Sequence, residues 1–367
     1  MDGLFYGLRA MTWREALMLA VGGILIYLAV KKQYEPVLLL PIGFGAILSN
    51  IPGSSAIGPH GFLTKLYDAG IITELFPLLI FIGIGAMVDF GPLFEQPSML
   101  FFGAAAQIGI FLTMALAVVL GFSIKEAASI GIIGAADGPT AIYVATRFAP
   151  HLLAPISVAA YSYMSLVPII QPPVVRALTT KSERCIRMEP ASSKQITQRT
   201  RILFPILVTV IAGLVAPMSL ALVGTLMFGN LLRESGVVDR LSKAAQNELT
   251  NLVTLLLGIT IGSTMTASEF LKPATLLIIG MGLVAFVVDT AGGVIFAKIL
   301  NLFLKRKVNP MIGACGISAF PMSARVIHKM AQHEEPGNFI LMQAVGANVA
   351  GQIASIIAGA MILALVR

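Results

Sequence analysis

GIIGAADGPTA (131–141) and GACGISAFPMSA (313–324) lie in apolar stretches on either side of the middle of this 367-residue chain. Gly131, Gly134 and Pro139 of the first match Gly313, Gly316 and Pro321 of the second, all at an offset of 182 residues. Glycine and proline free backbone carbonyls from the helical ladder, and in lipid those carbonyls need other partners. The match continues outward. FIGIGAMVDF (81–90) resembles GITIGSTMTA (258–267) with Gly85 over Gly262, and Pro36 precedes an apolar run as Pro217 does. Gln107 and Asp289, lone polar residues in two long apolar segments, are also 182 apart. A near-constant offset over several elements indicates a duplicated unit.

The setting of these segments decides the class. Hydrophobic residues make up 57% of the chain and charged ones only 12%, about half the charged share of a soluble domain. The apolar residues fall in long runs, among them Ala16–Val30, Leu100–Phe122, Ile202–Leu232, Leu276–Leu300 and Phe339–Val366, of the length that spans a bilayer. The expectation is an all-α polytopic membrane protein of roughly nine to eleven segments. Residues 1–177 and 201–367 form two membrane repeats of inverted topology with broken or re-entrant helices, joined by a linker over 178–200. Such repeats place ion sites between paired Gly/Pro-interrupted segments near the midplane.

The formal charge of +7 does not point to nucleic acid. Arg176, Lys181, Arg184, Arg187, Lys194, Arg199 and Arg201 crowd the linker against Glu183 and Glu189, the bias of a cytoplasmic loop. Cys185 and Cys315 offer no disulfide framework. The first apolar run lacks a small-residue cleavage site and is read as a retained helix. There is no phosphate-binding GxxxxGK[ST] loop and no Met-Lys-Met biotin-attachment element, and His60, His151, His328 and His333 have no zinc-ligand spacing.

Asp137, just before Gly138-Pro139, is an acid at bilayer depth and therefore a candidate functional group. A hard cation such as sodium prefers oxygen ligands; the partner segment offers Asn309 and Ser318, with Ser323 and Asp289 as secondary candidates. On the residues alone, Arg325 either neutralises an anion or snorkels to a headgroup, and Tyr163 either anchors at the interface or relays a proton. Asn348, Gln352 and Ser355 share one face of the last helix, read as helix-to-helix glue.

At GAADGPTAIY (134–143) the chain resembles the beta subunit family of sodium-translocating, biotin-dependent decarboxylases. The resemblance extends from about residue 36 to the end and includes GNLLRESGVVDRLSKAAQNELTN (229–251), NPMIGACGISAFPMSARV (309–326) and GNFILMQAVGANVAGQI (337–353). It implies functional roles for Asp137 and Tyr163, and for Asn309, Gly313, Ser318 and Arg325. The implied activity is decarboxylation of carboxybiotin, supplied in trans by a biotin carrier, with proton consumption and export of Na+. In that scheme Arg325 meets the carboxylate, Tyr163 supplies the proton, and Asp137 with Asn309, Ser318 and Gly313 holds the metal. The implied partners are a soluble carboxyltransferase subunit, the carrier and a small gamma-type membrane subunit, in a homo-oligomeric core of the bacterial cytoplasmic membrane. The short central linker favours the acyl-CoA members over the oxaloacetate ones. The competing reading is a stand-alone elevator-type secondary transporter or Na+/H+ antiporter.

Overall fold

A computed structural model describes residues 5–33, 36–188, 196–319 and 321–366; Lys194 and Glu189 of the basic linker lie outside them. Among the described residues there are helices and turns but no strand. The helices of eight residues or more are α1 (Trp13–Lys32), α2 (Pro36–Ser49), α3 (Leu75–Met87), α4 (Met99–Ala106), α5 (Ile108–Val119), α6 (Ile124–Gly131), α7 (Gly138–Phe148), α8 (Leu153–Ser165), α9 (Val167–Leu178), α10 (Gln198–Val215), α11 (Leu220–Glu234), α12 (Thr250–Thr264), α13 (Pro273–Phe303), α14 (Met322–Glu334) and α15 (Leu341–Leu365).

The element order runs through twice. A long helix, a helix beginning at or just after a proline, a π-helical turn and a third helix make up α1 to α3, with the turn at Tyr67–Ile72. The same series returns as α10 to α12, with the turn at Ala245–Leu249. Two interrupted segments follow in matching places: α6, a 3-10 turn over Ile132–Ala135 and α7, then a 3-10 turn over Pro310–Gly316 and α14. The polytopic all-helical class is therefore as expected. By length and apolar composition, five helices qualify as membrane spans among the described residues, or up to seven if each of two bent pairs counts as one. Those pairs, Phe62–Ile72 with Leu75–Met87 and Pro150–Met164 with Val167–Leu178, bend by 61° and 67°. The sequence expectation is roughly nine to eleven segments; the shorter apolar helix Pro36–Ser49 falls below the length of a span.

Packing divides the helices into two groups. In the first, α2 lies on α12 and α3 lies on α11, with α1 against α2 and α10 against α11. Because α2 corresponds to α11 and α3 to α12, each contact repeats the other with the halves exchanged. Glycines make these contacts possible, since small residues let helix backbones approach closely in membranes. A Cβ at Gly85 would stand 1.9 Å from the Leu226 carbonyl oxygen, and one at Gly229 would stand 1.9 Å from that of Ile82. On the matching pair, Gly262 would meet the Ile42 oxygen at 2.1 Å and Gly45 the Ile259 oxygen at 2.2 Å. We call this group the panel. The second group, the core, gathers α4 to α9 and α13 to α15 around the two interrupted segments. Apolar side chains such as Val119, Leu214 and Phe303, all about 80% exposed or more, face outward as lipid-facing residues do.

Gly229→Ala pushes a methyl group into a backbone carbonyl and is expected to cost about 1–3 kcal/mol. Gly280→Ala meets nothing within 4 Å and is expected to be neutral or mildly stabilising. Thermal unfolding of the purified variants separates the two cases, and equal melting temperatures would contradict the packing.

Candidate functional site at the seam of two helix groups

The interrupted segments meet directly. The Ser318 backbone N–H donates to the Ala135 carbonyl at 3.1 Å, joining the second break to the first. The carbonyls freed by the second break are taken up one after another. Ala314 receives Gln171 Nε2 at 2.8 Å and Ser323 Oγ at 3.1 Å. Asn348 Nδ2 donates to Cys315 at 3.3 Å and to Ile317 at 2.7 Å, and Gln107 Nε2 reaches Gly316 at 3.4 Å. Side-chain amides and a hydroxyl thus replace the partners that a continuous helix would supply. In the first break Ala136 adopts a left-handed conformation with φ 53°, which costs a non-glycine residue about 1 kcal/mol. That turn sets Asp137 at the N-terminus of α7.

Asp137 is buried, and its two oxygens have different surroundings. Oδ2 accepts from Thr140 Oγ1 at 2.6 Å, Ser355 Oγ at 3.1 Å and Gln352 Nε2 at 3.2 Å. Oδ1 has only a long contact, 3.4 Å, from the Thr140 N–H. No basic side chain forms an ion pair with Asp137 among the described residues. Three donors thus clamp one oxygen, while the other is left available.

A cavity of about 330 Å³ lies in front of Asp137. The core side of its lining includes Asp137, Tyr161, Ser318 and Gln352; the panel side comes from α2, α3 and α12. The hydroxyl of Ser318 has no hydrogen-bond partner among the described residues. A carboxyl group with one open oxygen, a free hydroxyl and the space in front of them provide an oxygen-lined place for a cation.

The chain matches a family model described as the Na+-transporting oxaloacetate decarboxylase beta subunit over residues 14–366. It belongs to that family. It is 51% identical over 360 residues to the glutaconyl-CoA decarboxylase subunit beta of Acidaminococcus fermentans, covering 98% of this chain and 95% of that protein. It is 51% identical to the methylmalonyl-CoA decarboxylase subunit beta of Veillonella parvula, with 98% and 95% coverage. Identity to the oxaloacetate decarboxylase beta chain of Haemophilus ducreyi is 44%, with 98% and 97% coverage. The chain is thus the membrane subunit of a sodium-transporting decarboxylase, and as a beta subunit it works in a multi-subunit complex.

Of the candidate ligands and catalytic residues singled out from the sequence, this beta subunit brings Asp137 and Ser318 to one cavity, beside Gln352; the other candidates are elsewhere. Asn309, expected among the metal ligands, is not part of the cavity lining. Its amide donates to the carbonyls of Arg184 at 2.8 Å and Ile186 at 3.0 Å and accepts from the Met311 N–H at 3.1 Å. It therefore fastens the linker to the second break. Gly313 has no side chain to coordinate; a Cβ there would stand 2.0 Å from the Gly293 carbonyl oxygen of α13, so its place is a backbone crossing. Ser323 is taken up by Gln171 and Ala314. Arg325 is exposed and lines a separate cavity.

Tyr163 is buried, and its hydroxyl donates to the Ile279 carbonyl at 2.5 Å. Its neighbour Tyr161 is the one that lines the Asp137 cavity, with its ring packed on Gly138. Asp289 accepts from the Gly109 N–H at 2.5 Å, at the break between α4 and α5, and its second oxygen lies beside Gly134. Gln107 bears on Gly316 in the mirrored way, so each polar residue reaches the interrupted segment of the other half. Gln352 and Ser355, read as helix glue, instead clamp the carboxylate; their i, i+3 spacing showed the shared face but not what it met.

Asn309→Ala removes the shorter of the two donors to each linker carbonyl and the cap on the Met311 N–H and is expected to cost about 2 kcal/mol. Ser318→Ala removes a hydroxyl with no protein partner and is expected to shift the melting temperature by no more than about 2 °C. Thermal unfolding measures both; a larger loss for Ser318→Ala would contradict this placement.

Proposed function

We propose that this subunit decarboxylates carboxybiotin, presented by a separate biotin carrier, and uses the reaction to export Na+ through the Asp137 cavity. The observation that carries this reading is the asymmetric setting of Asp137, clamped through one oxygen while the other is open, at the seam between core and panel. Asp137 and Ser318 are the proposed sodium ligands; Asn309 and Gly313 act behind them by holding the second break in place. Sodium and a proton would compete for the same carboxylate. A shift of the core against the panel would change the side from which the cavity is reached.

Arg325 belongs to a second cavity of about 440 Å³, lined also by Pro168, Pro172, Arg176, Lys329 and His333. Its basic lining suits an anionic carboxyl group. The position suits it too: the Arg184–Glu334 ion pair, 2.9 Å long, brings the basic linker to the end of α14 beside this cavity. By the charge bias of loops that side is cytoplasmic, where a soluble carrier would arrive. When the N–CO2⁻ bond of carboxybiotin breaks, the carboxyl group leaves as CO2 and the biotin nitrogen takes a proton. Tyr163 is the proposed donor, and to act it must release the Ile279 carbonyl.

The proposed assembly includes a carboxyltransferase subunit, the biotin carrier, a small gamma-type subunit and further copies of this chain, in the bacterial cytoplasmic membrane. Residues 1–177 and 201–367 are proposed as repeats of inverted topology around the linker 178–200. The higher identity to the two acyl-CoA relatives supports an acyl-CoA substrate on the partner subunit.

The test is decarboxylation of free carboxybiotin by this subunit with its membrane partners, titrated with sodium. Wild type is expected to need sodium. Asp137→Asn should abolish that dependence, and Tyr163→Phe and Arg325→Gln should each slow the reaction on the order of a hundredfold. Full sodium-dependent rates in both Asp137→Asn and Tyr163→Phe would overturn the site.

A further inference from the structure

Asp137 and Ser318 approach the seam cavity from the core. The panel wall opposite is mostly hydrocarbon: Val37 and Leu38 from α2, and Ile80, Ile84 and Met87 from α3. The exception is the start of α12, which contributes Thr250, Asn251 and Thr254. The hydroxyl of Thr250 donates to the Ala245 carbonyl at 2.7 Å, at the π-helical turn that precedes α12. The side chains of Asn251 and Thr254 make no hydrogen bond among the described residues. They are three residues apart and so lie on one face of the helix. Asn251 is exposed and Thr254 half-buried, so their oxygens are accessible from the cavity and not tied up within the protein.

The core offers a cation few oxygens by itself. Oδ2 of Asp137 is occupied by three donors, so Asp137 and Ser318 offer only Oδ1 and one hydroxyl. A hard cation stripped of its water is held by several oxygens. The amide oxygen of Asn251 and the hydroxyl of Thr254 are neutral oxygens on the facing wall of the same cavity. They are fixed to the panel, because α12 is locked onto α2 through Gly262, where a Cβ would stand 2.1 Å from the Ile42 carbonyl oxygen.

We infer that Asn251 and Thr254 complete the sodium site from the panel side, so that the bound cation spans the seam between the two helix groups. The inference rests on the reading of the Asp137 cavity as the sodium site. It assigns the two groups different tasks. The core supplies the negative charge and the panel supplies neutral ligands, present only when Asp137 stands opposite the first turn of α12. A cation in this place holds the seam together, and separation of the two walls removes about half of its ligands at once.

The experiment measures sodium activation of carboxybiotin decarboxylation in the assembled complex, with lithium as a second cation. In Asn251→Leu and Thr254→Val, which remove the oxygens with little change in bulk, the half-saturating sodium concentration is expected to rise about three- to tenfold each. That rise should exceed the fall in maximal rate, and the ratio of sodium to lithium activation should change. Thr254→Ser keeps the hydroxyl and should restore the wild-type curve, which a merely structural role for the threonine methyl would not allow. If both variants keep the wild-type sodium curve and ion preference while Asp137→Asn loses sodium dependence, the panel ligands are wrong and the Asp137 site stands. If Asp137→Asn also keeps its sodium dependence, the cavity is not the sodium site and both readings fall.

Discussion

A helix interrupted inside a membrane leaves carbonyl groups that hydrocarbon cannot satisfy, and this chain interrupts two. The hydrogen bond from the Ser318 N–H to the Ala135 carbonyl makes each break a partner of the other. The amides of Gln107, Gln171 and Asn348 take up the remaining carbonyls of the second break. Those amides come from α9, α15 and the junction of α4 and α5, so the surrounding core helices are held in register by the same bonds. The buried carboxylate of Asp137 sits where this network ends. Its hydrogen-bond donors gather on one oxygen and leave the other open to a visitor.

The panel solves a different problem. Glycine-mediated backbone contacts hold its helix pairs together. Because those contacts occur as two matching pairs, the panel is rigid in the same way at both places. The core, by contrast, is joined internally by side-chain hydrogen bonds and meets the panel largely across apolar surface. One of the spaces between them, walled by α10, α11 and α15, is lined entirely by apolar side chains apart from Ser219. An interface of that kind is held by few directional bonds.

Much of this was legible in the residues. Glycine and proline at matched offsets gave away the paired breaks, because few other residues have a reason to recur in apolar segments. Asp137 was legible because a lone acid in such a setting is expensive. Gln107 and Asp289 were found as a matched pair, and the fold supplies the reason in their reciprocal contacts. The misses are of another kind. Asn309 has the chemistry of a ligand, yet its partners are carbonyls more than a hundred residues away in the linker, which no local pattern reveals. Tyr161 and Tyr163 are two residues apart on one helix and therefore face well apart; the family resemblance pointed to the second, whereas the cavity is lined by the first. For Gln352 and Ser355 the shared face was visible, but not that an acid lay against it.

The hold of Asn309 on the linker reaches beyond the membrane. The same side chain caps the turn of the second break and grips the carbonyls of Arg184 and Ile186. Asn338, just ahead of α15, donates to both of those carbonyls as well, at 3.3 Å. Linker and turn are therefore one part. Whatever fixes the backbone of Arg184 and Ile186 also fixes the turn that leads to Ser318.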